Sequence, residues 1–120
     1  MNRKNIVYSL IAATGYGSWA FYANQGTGQS LQAFITQGAL SFISTLFFLS
    51  LILWVVTQRN GKKHQLLTGM AIPNGIVVVI LYATHFVAGT PNIVATILPS
   101  CIMGMVGSFF YIRGLGGTVD

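Results

Sequence analysis

The side chains able to ligate, titrate or hydrogen-bond strongly are few in the apolar stretches of this sequence, and each raises a particular chemistry. His64 and His85 are nitrogen ligands that could hold a metal or a haem. They flank one apolar run from opposite ends, so a single chain cannot bring both to one ion. No Cys, Asp or Glu lies near His85 to complete a shell. The expectation is therefore no metal and no cofactor. His85 reads as an interfacial, hydrated histidine beside Tyr82, and both count as candidate substrate contacts.

Pro73-Asn74 interrupts the same run. A proline inside a helix removes one backbone hydrogen bond and frees a carbonyl, and the neighbouring amide adds a donor and an acceptor. Broken helices of this kind form binding sites in transporters, but they are also ordinary kinks. Asn74, Leu81 and His85 share one helical face, so a polar line is expected along it. Pro99 marks a second kink in the last run.

Two further patterns are stripes. Gln37, Ser41, Ser44 and Thr45 follow helical spacing, and so do Thr96, Ser100, Gly104, Gly107 and Ser108. The first run has a thinner stripe at Ser9, Ala13, Gly17 and Ala20. Small residues let helices approach closely while hydroxyls bond across the gap, which makes Ser44, Gly104, Gly107, Ser108 and Gly17 candidate packing positions. Gln37, Ser41 and Ser100 are the candidate substrate contacts if the stripes instead line a path.

The absences are equally informative. The only carboxylate side chain is Asp120, and no Lys or Arg lies inside an apolar run. General acid–base catalysis by paired carboxylates is excluded, and no enzymatic activity is expected. Proton-coupled carriers generally keep an ionisable group in the membrane. The small multidrug-resistance exporters, four-span proteins of similar length, depend on a glutamate in the first span, and here that span has none.

These residues must be positioned by four apolar segments, about Ile6–Asn24, Leu31–Val56, Leu66–Ala88 and Ile93–Ile112. Hydrophobic residues make up 53% of the 120, charged residues 6%, and the mean hydropathy is +0.69. A soluble domain carries about 25% charged residues. Each segment is long enough to cross a hydrocarbon core as a helix, and backbone in lipid must satisfy its own hydrogen bonds. The fold class predicted is an all-α, integral membrane four-helix bundle in a single domain. Arg3, Lys4, Arg59, Lys62, Lys63 and Arg113 account for all six basic residues, and they fall at one set of segment ends. Both termini and the middle loop are thus expected at the cytoplasmic face of the inner membrane. The same distribution argues against nucleic-acid binding, which needs basic residues clustered on a folded face. The lone Cys101 cannot form an internal disulfide. The N-terminus is expected to stay as an uncleaved span, because no small-x-small site follows it.

A shift of 63 residues lays Gln37, Ser41, Ser44 and Thr45 over Ser100, Gly104, Gly107 and Ser108, and suggests a parallel duplication of a two-helix hairpin. "SFFYIRGL" (Ser108–Leu115) and, less closely, "FFLSLILWVV" (Phe47–Val56) end the second helix of each hairpin. In this respect the chain resembles the GtrA family of small four-span proteins. Ser108 replaces that family's usual asparagine, and the first repeat lacks its arginine. The resemblance implies a part in moving polyprenyl-phosphate-linked sugars across the inner membrane.

Two functions are expected to compete. One is a small carrier or flippase for a lipid-linked or other amphiphilic substrate, acting as a homo-oligomer among membrane lipids. Arg59, Lys62, Lys63 and Arg113 would then meet its head group, although they also serve as orientation signals. The other is an accessory subunit packed against partner membrane proteins. A holin-like pore is a third option.

Overall fold

The computed structural model describes residues 2–59 and 63–115. Four helices are present among them: α1 (Arg3–Ala23), α2 (Ser30–Gln58), α3 (Gln65–Ala88) and α4 (Ile93–Gly114). They coincide with the four apolar segments to within a few residues at each end. Pro73 and Pro99 both lie inside their helices without ending them.

Local chemistry fixes the helix ends. Asn2 caps α1 by accepting the Lys4 amide at 3.0 Å. The α3 terminus turns on Gly89, whose φ of 81° lies in the left-handed region. There the Gly89 amide donates to Phe86 O and the Thr90 amide to His85 O, folding the chain back over the last turn. Gln65 closes the turn before α3 by donating to Val56 O at 2.9 Å, a carbonyl at the end of α2 that also accepts the Arg59 amide.

The helices run alternately up and down. α2 packs against each of the other three and α4 bridges α1 and α3, while among the described residues α1 and α3 do not touch. One end of the bundle gathers Arg3, Lys4, Arg59, Lys63 and Arg113, and we call it the basic end. Lys62 lies outside the described residues. The other end, built from the 24–29 and 89–92 turns, has no charged side chain.

α2, α3 and α4 are long and apolar enough to cross a membrane. α1 has the length, with 21 residues, but its Arg3, Lys4, Asn5 and "TGYGS" segment leave it short of the necessary apolarity. Of the four expected spans, all four are helices, and three of them meet both the length and the apolarity needed to cross a membrane. The chain is also turned inside out relative to a water-soluble bundle. Gln37, His85, Thr96, Ser108 and Asn24 are fully or almost fully buried, whereas Val87, Phe86, Phe110 and Val79 are mostly exposed.

Candidate functional site

Two polar clusters and the cavity between them make up the site. The first cluster centres on His85, which is completely buried. Its Nε2 lies 2.7 Å from Gln37 Oε1 and its Nδ1 lies 2.7 Å from Thr90 Oγ1. The Gln37 amide nitrogen donates to Ser41 Oγ at 3.1 Å and to Ser100 Oγ at 3.4 Å. Since Gln37 Nε2 gives both hydrogens to serines, Oε1 is the acceptor facing the imidazole. His85 therefore carries its proton on Nε2 and accepts from Thr90 through Nδ1. The Gly89 turn is what carries Thr90 back into this position.

Beside it, Asn24 knots the uncharged end. Its amide nitrogen donates to Ala20 O at 2.8 Å and to Thr96 Oγ1 at 2.7 Å, and its Oδ1 accepts the Asn92 backbone amide at 3.0 Å. Asn92 in turn donates to Ala23 O at 2.9 Å. A neighbouring contact follows from Pro99. Lacking an N–H, it leaves the carbonyl four residues earlier, on Ala95, without its helical donor. Trp19 Nε1 donates to that oxygen at 2.7 Å and so ties α1 to α4.

The second cluster sits towards the basic end. Asn74 Nδ2 donates to Met70 O at 2.7 Å and to Ser108 Oγ at 3.0 Å, and Ser108 donates to Met105 O. Gly104 permits this crossing of α3 and α4. A Cβ there would fall 2.5 Å from Asn74 Oδ1. Gly17 plays a similar part between α1 and α2, where a Cβ would meet Phe34 O at 3.2 Å. Gly107, expected to pack, has open space beside it.

Between the clusters lies a cavity of about 320 Å³, within the size range of small-ligand sites. Tyr8, Ala12 and Tyr16 of α1 form one wall, and Asn74, Val77 and Leu81 of α3 form the opposite one. α2 contributes Ser41, Ser44, Thr45 and Phe48, and α4 contributes Ser100, Cys101, Gly104 and Gly107. No lining side chain is charged. Every α1 residue in the wall precedes Trp19, and every α4 residue follows Thr96. The α1–α4 seam is thus closed at the uncharged end and opens beside the cavity. Exposed Tyr8, Leu49 and Met103 at the rim bring the cavity to the outer surface of the bundle.

Of the candidate substrate contacts, Gln37, Ser41, Ser100 and His85 form one hydrogen-bonded chain. Asn74 joins the other cluster, yet faces the same cavity together with Ser41 and Ser100. Tyr82 belongs to neither, being exposed on the outside of α3. The reading of His85 as hydrated and interfacial is corrected, because it is sealed from solvent and its partner is Thr90 in place of Tyr82. His64 stands exposed before α3 at the basic end, far from His85 along the helix. Arg59, Lys63 and Arg113 lie at the basic end, where Arg113 sits over the Phe109 ring at 5.6 Å. Among the described residues no group of three potential metal ligands comes together.

Asn24, Trp19, Thr90 and Asn92 were not candidates. Trp19 could have been suspected only by pairing a free indole N–H with the carbonyl that Pro99 exposes. Comparison with family models, with curated proteins and with solved structures gives no match to this chain.

Proposed function

We propose that this chain is a small carrier of the inner membrane, with all four helices crossing the bilayer, that takes the head group of an amphiphile into the cavity between α1 and α3. The observation that carries this reading is the cavity itself. A bundle with an apolar exterior keeps hydroxyls, two amides (Asn5 and Asn74) and two phenols around a space that opens sideways. Ser44 and Thr45 make no hydrogen bond within the described residues, so their hydroxyls are available to a ligand. The tail of the substrate stays in lipid while its head passes the seam beside Tyr8 and Met103.

The crossing of α1 is supported by its partners. Its least apolar part is bound to α4 through Trp19 and Asn24, and Ser9 and Thr14 donate to carbonyls of their own helix. Gathering of Arg3, Lys4, Arg59, Lys63 and Arg113 at one end favours both termini at the cytoplasmic face. There Arg59, Lys63 and Arg113 attract an anionic head group before it enters. The similarity of Ser108–Leu115 to GtrA proteins points to the same class of substrate. The homo-oligomer we propose meets through exposed apolar faces away from the lateral opening, which stays free for the substrate.

The test is lipid translocation in proteoliposomes, read by dithionite quenching of a fluorescent-head phospholipid. Gly107→Leu fills the cavity where an added side chain meets open space, so the fold is retained. Loss of most of the protein-dependent rate in that variant is the expected result. Equal rates in the variant, the native protein and empty vesicles would favour an accessory subunit instead.

A further inference from the structure

We propose that His85 is a proton-binding site linked to the cavity, so that an amphiphile carrying a negative charge is taken up together with a proton. The inference rests on the cavity being a ligand site and adds the charge of the ligand and the coupling ion. Neither was visible in the sequence, where the absence of intramembrane carboxylates spoke against proton coupling.

Three observations carry it. First, both partners of the imidazole can accept a hydrogen bond. Gln37 Oε1 accepts from Nε2 already, and Thr90 Oγ1 can accept from Nδ1 once its hydroxyl hydrogen turns away. A proton can therefore be added to the Nδ1 lone pair with no heavy atom displaced. Second, the site has a route on each side. Thr90 is itself buried but lies between exposed Gly89 and Pro91 in the turn at the uncharged end, so its hydroxyl can relay a proton between water outside the turn and Nδ1. On the inner side only the Gln37 amide separates the imidazole from Ser41 and Ser100, which line the cavity.

Third, an imidazolium here has no counter-charge. α2 contains no titratable side chain, α3 adds only exposed Tyr82, and α4 offers Cys101 in the cavity, with Tyr111 and Arg113 at the far basic end. α1 brings Tyr8 and Tyr16 to the cavity wall, exposed Tyr22, and Arg3 and Lys4 at the basic end. No carboxylate lies among the described residues. A negative head group at Ser41 and Ser100 supplies the missing charge. By linkage the proton must then strengthen anion binding by the same factor that the anion strengthens proton binding. Binding of an anion is thus tighter at low pH and weaker once His85 is neutral.

Cys101, the chain's single cysteine, lines the cavity and reports its occupancy. The protein is reconstituted in phosphatidylcholine vesicles, and the slowing of Cys101 alkylation is measured with dodecanesulfonate, whose charge is constant over this range, or with dodecanol. The ratio with and without amphiphile is taken at pH 5.5 and pH 8. Protection by dodecanesulfonate is expected to be on the order of tenfold stronger at the lower pH, and protection by dodecanol independent of pH. His85→Gln should bring the ratio of dodecanesulfonate protection between pH 5.5 and pH 8 to about one, whatever the absolute protection. In the native protein, histidine-labelled NMR should show the His85 titration midpoint rising by about one unit with dodecanesulfonate. An unmoved His85 midpoint alongside good Cys101 protection overturns the coupling and leaves the ligand site standing. No protection by either amphiphile overturns both.

Discussion

The two ends of the bundle are held by different forces. At the basic end, Ile52, Val56 and Ile112 form a buried apolar cluster with Phe48, Leu66, Met70 and Tyr111 around it. Its geometry depends on Gly69, where a Cβ would fall 2.7 Å from Val56 Cγ2 and 2.9 Å from Ile112 Cδ1. At the uncharged end the buried apolar residues are mostly small or scattered, with Ala20, Ala33 and Ile97 among them, and Asn24, Thr96, Asn92, Trp19, Gln37 and His85 add hydrogen bonds across the helices. Surrounded by lipid, apolar residues gain little from leaving the solvent, so association rests on close fit or on hydrogen bonds. The basic end uses the first device and the uncharged end the second. Directional bonds hold donors and acceptors in one arrangement, and that is the end where the ligand-facing chain begins. Close fit is tolerant of polar chemistry only at its edge, which is where Asn74 and Ser108 lie.

Breaking each end should cost different amounts. Gly69→Leu is expected to have the largest effect, about 3 kcal/mol, because Val56 of α2 and Ile112 of α4 both close on Gly69 of α3 and are buried in the same cluster. Size-exclusion profile and melting temperature in detergent measure it, and an unchanged profile would contradict the close fit. Asn24→Ala should cost about 2 kcal/mol, since it leaves the Asn92 backbone amide without its acceptor and takes from Thr96 the donor it accepts, although the Thr96 hydroxyl still donates to Asn92 O. The same thermal melt reads it, and rescue by Asn24→Asp but not Asn24→Leu would sharpen the assignment to the lost Oδ1 acceptor. Trp19→Phe should cost least, about 0.6 kcal/mol, by deleting the single donor to Ala95 O. Its sharper readout is faster alkylation of Cys101, as α1 loosens from α4 beside the cavity.

How much of this was legible varies along the chain. Helix positions followed from apolar run length and needed no tertiary knowledge. The polar line through Asn74, Leu81 and His85 followed from helical spacing, and all three are buried. Tyr82 was misjudged because spacing gives an angle around the helix but not which side meets a neighbour. Thr90 was invisible for a different reason. Its contact with His85 forms only when the left-handed Gly89 turn folds the chain back, and no helical period describes that. Asn24 looked like a mere boundary because it ends an apolar run. α1 was legible as a helix of spanning length, and so was the mixed composition that sets it apart from the other three.

The Trp19 and Asn24 contacts also bear on how the chain is made. Their partners lie far downstream, with separations of 76, 72 and 68 residues to Ala95, Thr96 and Asn92. At a ribosomal rate of about 5–20 residues per second, α1 waits several seconds before those atoms exist. α1 can pack on α2 as soon as both are made, but its Trp19 and Asn24 side chains find their α4 partners only once α4 follows, so the uncharged end is the last part of the bundle to be knotted.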